Sequence, residues 1–468
     1  MEFTELGGST VPAGRLVFWT PTAAASAWTD DARPPALNHE HHVRTAAKWG
    51  PSHVAPAWIG VSFGVGRAGR HRMGDAFSAW LRGCEHLRSR LIPAPGRCVR
   101  RTLPASAVSL RQEDVGTFAD GASVQRQIEA FFDRNTQPLG WPHVVFATVE
   151  GADGTTVFLG ADHGVMDGYT LAMIPGQIRG ALEGRAQDPN GQRSLDCAAE
   201  ERTTVGVPPA AEPELTAPWR SLLGDARGRT PAFPLPLGAP ESPNAQRSAY
   251  RWLLDGPAAT RFAAASRAAG GTTAAGLLAC LALATARVSG ERCLSLISLA
   301  NTRPGKWRSA PGWFVGLHPV RIPAAPGADF AGTVALAAAE LRRRGPGPES
   351  SLPHISRMLR TEIHPRFVVS YLDVRRVAGS PPHQQDSMLR SRIHSPAEVY
   401  VWLTRSDRGV HLSTRFPDTP VARSGVGRFV QAVAHTASRV AEGHRAAEAV
   451  PSPAGPPVPQ GEGDSLCA

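Results

Sequence analysis

His163 and Asp167 stand four residues apart, with Gly168 next, inside the stretch Gly160-Ala-Asp-His-Gly-Val-Met-Asp-Gly-Tyr169. An imidazole facing a cleft can take a proton from an attacking amine or hydroxyl. An aspartate one turn further on can point inward, pair with a cation and fix the loop that aims the histidine. Asp162, just before the histidine, admits two readings. Its carboxylate could raise the imidazole pKa and disfavour an anionic acceptor near the cleft mouth, or it could point into the core as a structural residue. A backbone N–H just after His163 or near Gly168 would be placed to hold a developing oxyanion.

The flanking pattern says what positions these residues. Two apolar runs, 144–149 and 155–159, are separated by Glu150-Gly-Ala-Asp-Gly154, which reads as a β-hairpin with a glycine-containing loop. His163 then falls at the end of the second strand. Beyond it, Leu171, Ile174, Ile178 and Leu182 recur at helical spacing, so a helix over 169–182 is expected, with Asp167 and Gly168 in the turn that enters it.

Other motifs compete. Gly60-Val-Ser62-Phe-Gly64 spells GxSxG, which would make Ser62 the nucleophile of a serine hydrolase, and residues 64–69 spell GxGxxG. Each needs a helix to begin inside or directly after its glycines. The polar, glycine-broken stretch 67–72 instead delays the expected helix to about 73–88, and no strand ending in an acidic residue follows at dinucleotide spacing. Asn38-His-Glu-His-His42 crowds imidazoles and a carboxylate, but its spacing is not that of HExxH, so a polar segment at the cleft rim is expected there and no metal.

The pattern HxxxDG resembles the active-site motif of the acyltransferase superfamily that includes chloramphenicol acetyltransferase and the condensation domains of nonribosomal peptide synthetases. Condensation domains usually carry HHxxxDG with the second histidine catalytic; here Asp162 replaces the first. Three further segments extend the resemblance in the same order. Residues 82–91 are similar to RHExLRTxF, with Glu85, Leu87, Arg88, Ser89 and Leu91 matching and Gly83 and Cys84 departing. Residues 312–321 resemble GxFVNTxxxR, with Gly312, Phe314, Val315 and Arg321 matching and Gly316-Leu317 replacing Asn-Thr. Residues 364–370 are similar to NPLFxVMF, with His364 for Asn. The stretch 138–142 is like the "plxwP" entry to the motif strand.

The resemblance implies an α/β fold of two chloramphenicol-acetyltransferase-like lobes in a V-shaped pseudo-dimer, with His163 in the central cleft. It assigns catalysis to His163, Asp167 and Gly168. An arginine of the 82–91 segment is thought to pair with the motif aspartate, which makes Arg88 the candidate partner of Asp167; Arg303, Gly312 and Phe314 join as motif support. A thioester donor, on CoA or on the phosphopantetheine arm of an acyl or peptidyl carrier protein, would enter from one face, and an amine or alcohol acceptor from the other. The product would be an amide or ester in specialised-metabolite biosynthesis, with no bound cofactor. Two alternatives stay open: a catalytically silent, condensation-like protein that binds carrier proteins, which the lost first histidine and Gly316-Leu317 would suit, and the Ser62 hydrolase.

Length and charge bound the rest. The 468 residues divide into an N-terminal lobe at 1–186, a linker and Pro-rich connection at 187–247, a C-terminal lobe at 248–449 and a disordered tail at 450–468. No adenylation or carrier domain fits in what remains, so a free-standing, monomeric enzyme is expected. The net charge of +10 is nearly all scattered arginine, which disfavours nucleic acid but suits an acidic carrier protein docked near residues 82–101. The six cysteines lack CxxC spacing and read as free thiols of a cytoplasmic protein. The start of the chain has no signal-peptide pattern. The longest apolar stretch, 274–286, is shorter than the about 20 residues a membrane span needs.

Overall fold

The computed structural model describes residues 1–49, 57–185, 193–206, 212–225, 228–239, 246–343, 347–378, 385–392, 395 and 397–448. The expected tail at 450–468 lies outside the described residues. Two mixed sheets, each flanked by helices, carry the fold, with a small three-stranded sheet beside the first.

The first sheet has the order Glu2–Glu5, Ser387–Arg390, Trp58–Gly64, Gly154–Asp162, Val144–Gly151, Gly14–Thr22 and Ser109–Phe118. Its centre is the expected hairpin, with Val144–Gly151 antiparallel to Gly154–Asp162 and a two-residue turn at Ala152-Asp153. Successive strand residues point to opposite faces, so Val144 and Phe146 enter one core with Trp19, Phe77 and Trp80, while Val145, Ala147 and Val149 enter another with Phe18, Phe131 and Phe132. Helices Arg70–Gly83 and Gly168–Leu182 contribute to the first core and Gly121–Asn135 to the second. Burial on both faces is why these strands read as unbroken apolar runs.

The second sheet has the order Gln246–Asp255, Gly409–Pro417, Val399–Ser406, Phe367–Asp373, Cys293–Asn301 and Val315–Pro323. Helix Thr273–Ser289, apolar nearly all round, is buried between this sheet and helices Gly256–Ala268, Phe330–Arg342 and Pro420–Glu448. No single helix among the described residues is long and apolar enough to cross a membrane. The described cysteines are all free thiols.

Three expectations need correction. The helix after Trp58–Gly64 begins at Arg70, directly after Gly69, because Gly69 itself takes the extended N-cap conformation. The 187–247 segment is more than a linker. It holds helix Ser194–Gly206, which places Cys197 and Ala198 against Trp307 and Phe314, and helix Glu212–Asp225, which packs Trp219 and Leu222 on the second sheet. The chain-order boundary between lobes is also crossed, since Ser387–Arg390 lies within the first sheet, parallel to Glu2–Glu5 and antiparallel to Trp58–Gly64.

That inserted strand is tied at its entry. Arg179, on helix Gly168–Leu182, donates to both carboxylate oxygens of buried Asp386 at 2.6 and 2.9 Å, and to Gly64 O. Removing one member of a buried pair strands the other, at a cost of about 3–5 kcal/mol. Asp386→Ala is therefore expected to lower unfolding stability by about that amount in a denaturant titration. A variant as stable as the parent would show that the pair does not hold the strand.

Candidate active site

His163 follows the last residue of strand Gly154–Asp162 and opens a short 3₁₀ turn, His163–Val165. Its backbone N–H donates to Ala57 O at 3.3 Å, and its O accepts from Met166 N at 3.4 Å. The imidazole lies against the Trp313 indole, ring centroids 4.2 Å apart and planes 34° from parallel. Nδ1 is buried and takes no hydrogen bond from another residue; its own main chain is its only support. Nε2 is thus the nitrogen that a cleft molecule can reach. Burial, and then the nearby His42, hold this imidazole below its ordinary pKa, so it is neutral at pH 7 and able to accept a proton.

Asp162 points into the core and is fully buried. Its Oδ1 accepts from Gly164 N at 2.8 Å, and its Oδ2 pairs with His42 Nε2 at 3.1 Å. Burial opposes both charges, but their attraction prevails: His42 is held above and Asp162 below the ordinary range. The polar segment expected at the cleft rim, 38–42, is part of helix Leu37–Trp49, which lies against the motif turn and places Asn38 and His41 in the lining of the His163 cavity. Asn38 Nδ2 donates to Val315 O at 2.9 Å, joining this helix to the second sheet, and His39 packs edge-on to buried His143. Among the described residues, no group of three or more histidine, cysteine or acidic side chains has the arrangement to hold a metal ion. The Gly164 N–H is taken by Asp162 and so is not free to hold an oxyanion.

Asp167 caps helix Gly168–Leu182, its Oδ1 accepting from Thr170 N at 2.8 Å. Its cation is Arg303, and this corrects the expectation of Arg88. Arg303 Nη1 donates to Asp167 Oδ2 at 2.8 Å and Nη2 to Oδ1 at 3.1 Å, with both side chains buried. The remaining Arg303 donors reach Ala310 O, Asn301 Oδ1, Thr170 Oγ1 and Gly312 O, and Phe314 N donates to Asp167 Oδ2 at 3.0 Å. Arg88 instead donates to the main-chain oxygens of Arg82 and Leu103, because the 3₁₀ turn Glu85–Arg88 directs it to the small sheet. Gly312 is forced by geometry: its φ is +149°, and a Cβ there would lie 2.4 Å from the Phe314 ring. Gly316, in place of the usual Asn, packs where a Cβ would meet Ser350 Oγ at 1.9 Å.

His163, Asp167 and Gly168 share a cavity of about 360 Å³ whose walls come from both sheets. Its lining is mainly apolar, with Ile59, Tyr169, Leu299, Val315 and Val368 on the walls and Arg390 and Arg415 among the few charged groups. A Cβ at Gly168 would meet nothing within 4 Å, so this glycine keeps space open and does not serve a turn. Ser62 is not in this cavity. It lies mid-strand, paired with Phe158 and Ser387, and faces a second cavity whose described lining contains no histidine, so the nucleophile elbow is absent. Residues 64–69 line that second cavity too. The strand before them runs antiparallel to both neighbours, unlike the parallel strand of a dinucleotide site.

Two outcomes test this geometry. Asp167→Ala and Arg303→Met should each lower stability by about 3–5 kcal/mol, with the double variant losing less than the sum, as coupled partners do; additive losses in chemical denaturation would break the assignment. The second concerns acid. Burial pushes His86 down to about 3, whereas an unfolded histidine titrates near 6.5. Below pH 6.5 the unfolded chain binds the extra proton, so this contribution to stability is full above 6.5 and is lost as pH falls towards 3. His42, raised, and Glu201, pushed up to about 7 by burial, run the other way. His86→Gln should therefore flatten the acid loss of stability between pH 6.5 and 4 relative to the parent, and an unchanged slope would contradict the burial of a neutral imidazole.

No protein-family model matches the chain. Acyltransferase PapA3 of Mycobacterium tuberculosis (strain CDC 1551 / Oshkosh) is 28% identical over 337 residues, 68% of this chain and 70% of that protein. Trehalose-2-sulfate acyltransferase PapA2 of Mycobacterium bovis (strain BCG / Pasteur 1173P2) is 26% identical over 326 residues, 66% of this chain and 68% of its own. The solved structure of PapA2 acyl transferase superposes with a TM-score of 0.79 at 20% identity, covering 94% of this chain and all of that one. The condensation domain of the Monacolin K polyketide synthase MokA gives 0.67 at 16% identity, covering 88% and 98%. Motif order and these relatives agree on an acyltransferase, and its fold is that of PapA2 and the condensation domains.

Proposed function

We propose that this chain transfers an acyl group from a thioester to a hydroxyl, with His163 as general base. The observation that carries the reading is a neutral imidazole, braced by Trp313, whose reachable nitrogen opens on an apolar cleft between two sheets. The acceptor oxygen, losing its proton to His163 Nε2, attacks the thioester carbonyl. The Gly168 N–H, at the free start of a helix, holds the oxyanion. Collapse breaks the C–S bond, and the departing thiolate takes the proton back from His163, which leaves an ester, a thiol and the starting imidazole. An amine acceptor would follow the same path to an amide. One curated relative is named for acylating trehalose 2-sulfate, which favours a carbohydrate hydroxyl here.

The donor is CoA or a carrier protein bearing phosphopantetheine. The basic segment 82–101 supports carrier docking less than its sequence suggests. Arg88 and Arg100 are buried, Arg82 and Arg101 donate to main-chain oxygens, and Arg90 lies over Trp28.

The test is intact-mass detection of acyl transfer from acyl-CoA and from an acyl-loaded carrier protein to sugar and amine acceptors. His163→Ala should cut turnover by about 10²–10⁴ with unchanged melting, the usual span for loss of a general base. A variant that keeps more than about a tenth of parental turnover would remove His163 from that role.

A further inference from the structure

At the end of the cleft formed by strands Ser387–Arg390 and Gly409–Pro417, two arginines line the cavity that holds His163. Both are buried, Arg390 with 2% and Arg415 with 5% of its surface exposed. They face the same indole, with guanidinium carbons 4.4 and 5.7 Å from the Trp402 ring centroid. Arg390 has structural work: it donates to Phe3 O, Ser248 Oγ and Ser413 Oγ, although its Nε is left buried without a partner. The Arg415 side chain makes no hydrogen bond among the described residues. Its Nε is also orphaned, and its nearest carboxylate oxygen, on Glu398, stands 3.7 Å from Nη2. The other neighbouring carboxylate, Glu5, is engaged by Ser248 Oγ.

A guanidinium out of water needs an anion and hydrogen-bond acceptors, because its desolvation is otherwise uncompensated. Burial depresses both groups, yet Arg390 is lowered only to about 10, so the charge persists at neutral pH. Stacking on Trp402 and Tyr400 offsets part of the cost. Arg390, its Nη groups engaged, contributes charge, while the Arg415 Nη groups are left for a planar or tetrahedral oxyanion, the geometry a guanidinium fork suits.

We propose that Arg390 and Arg415, stacked on Trp402, form an oxyanion subsite of the cleft that binds a sulfate, phosphate or carboxylate group carried by one of the two substrates. This rests on the reading of the cleft as the substrate site, and it adds a recognition element that acts apart from the proton transfer at His163. The group belongs either to the acceptor, as an esterified sugar, or to the donor, as the phosphate of phosphopantetheine.

Sodium sulfate titrated calorimetrically at constant ionic strength is the probe. Saturable binding is expected in the parent and equally in His163→Ala, so the result does not depend on turnover. Arg415→Met should abolish it while melting no lower than the parent, since the removed side chain makes no hydrogen bond and its 3.7 Å pair is to a part-exposed glutamate; Arg415→Lys should retain weaker binding. Displacement of sulfate by 4′-phosphopantetheine but not pantetheine would assign the subsite to the donor, and displacement by glucose 6-sulfate but not glucose to the acceptor. Absence of saturable sulfate binding, binding undiminished in Arg415→Met, or a destabilised Arg415→Met would each overturn the proposal.

Discussion

The buried pair of Asp167 and Arg303 is the constraint on which the site depends. Neither charge is tolerable alone in this environment, and the pair persists because the surrounding acceptors and donors are satisfied together. One carboxylate caps the helix after the motif, accepts from the main chain at Phe314 and holds the guanidinium. That guanidinium in turn fixes the loop from Asn301 to Gly312. Trp313 lies between two residues of this network and against the His163 ring, so the imidazole is aimed by an ion pair it does not touch.

A second arrangement sets the charge around the base. Burial sets the His163 pKa below its ordinary value; the pull of Asp162 in the first motif position acts upward but is outweighed, its carboxylate being already paired with His42. His39 and His143 lie beside this pair as neutral, buried rings lowered by the same desolvation, with His86 next to His143. Gly164 completes the set, since a Cβ there would come within 2.6 Å of Asp162 Oδ1 and 2.8 Å of His42 Cδ2. Aspartate at 162, histidine at 42 and glycine at 164 are therefore one packing unit, and none is replaceable without the others adjusting.

What could be read from the chain was local. Periodicity placed the central hairpin, the helix after the motif and the buried helix Thr273–Ser289 because each signal spans one element. The partner of Asp167 was missed because it is 136 residues away and no spacing rule links the two; a segment resemblance pointed to Arg88, whose local turn sends it elsewhere. The histidine-rich run at 38–42 was visible as chemistry, yet its polarity concealed a helix that buries His39 and half-buries His41 and His42. Trp313 carried no signal beyond its place between Gly312 and Phe314. The helices within 187–247 were hidden by flanking proline and glycine, and a four-residue strand such as Ser387–Arg390 is too short to show a period.

That short strand has a consequence for how the molecule forms. Phe3 and Arg390, joined by a hydrogen bond across the inserted strand, are 387 residues apart. The first sheet therefore closes only after most of the chain has left the ribosome, and until then Trp58–Gly64 presents an unpaired edge. Long-range pairing of this kind slows folding, and an unpaired strand edge is a template for aggregation while it lasts. It also means that the two halves, cut at the 187–247 segment, could not be exchanged between relatives as independent modules, because the N-terminal half would arrive without one strand of its own sheet.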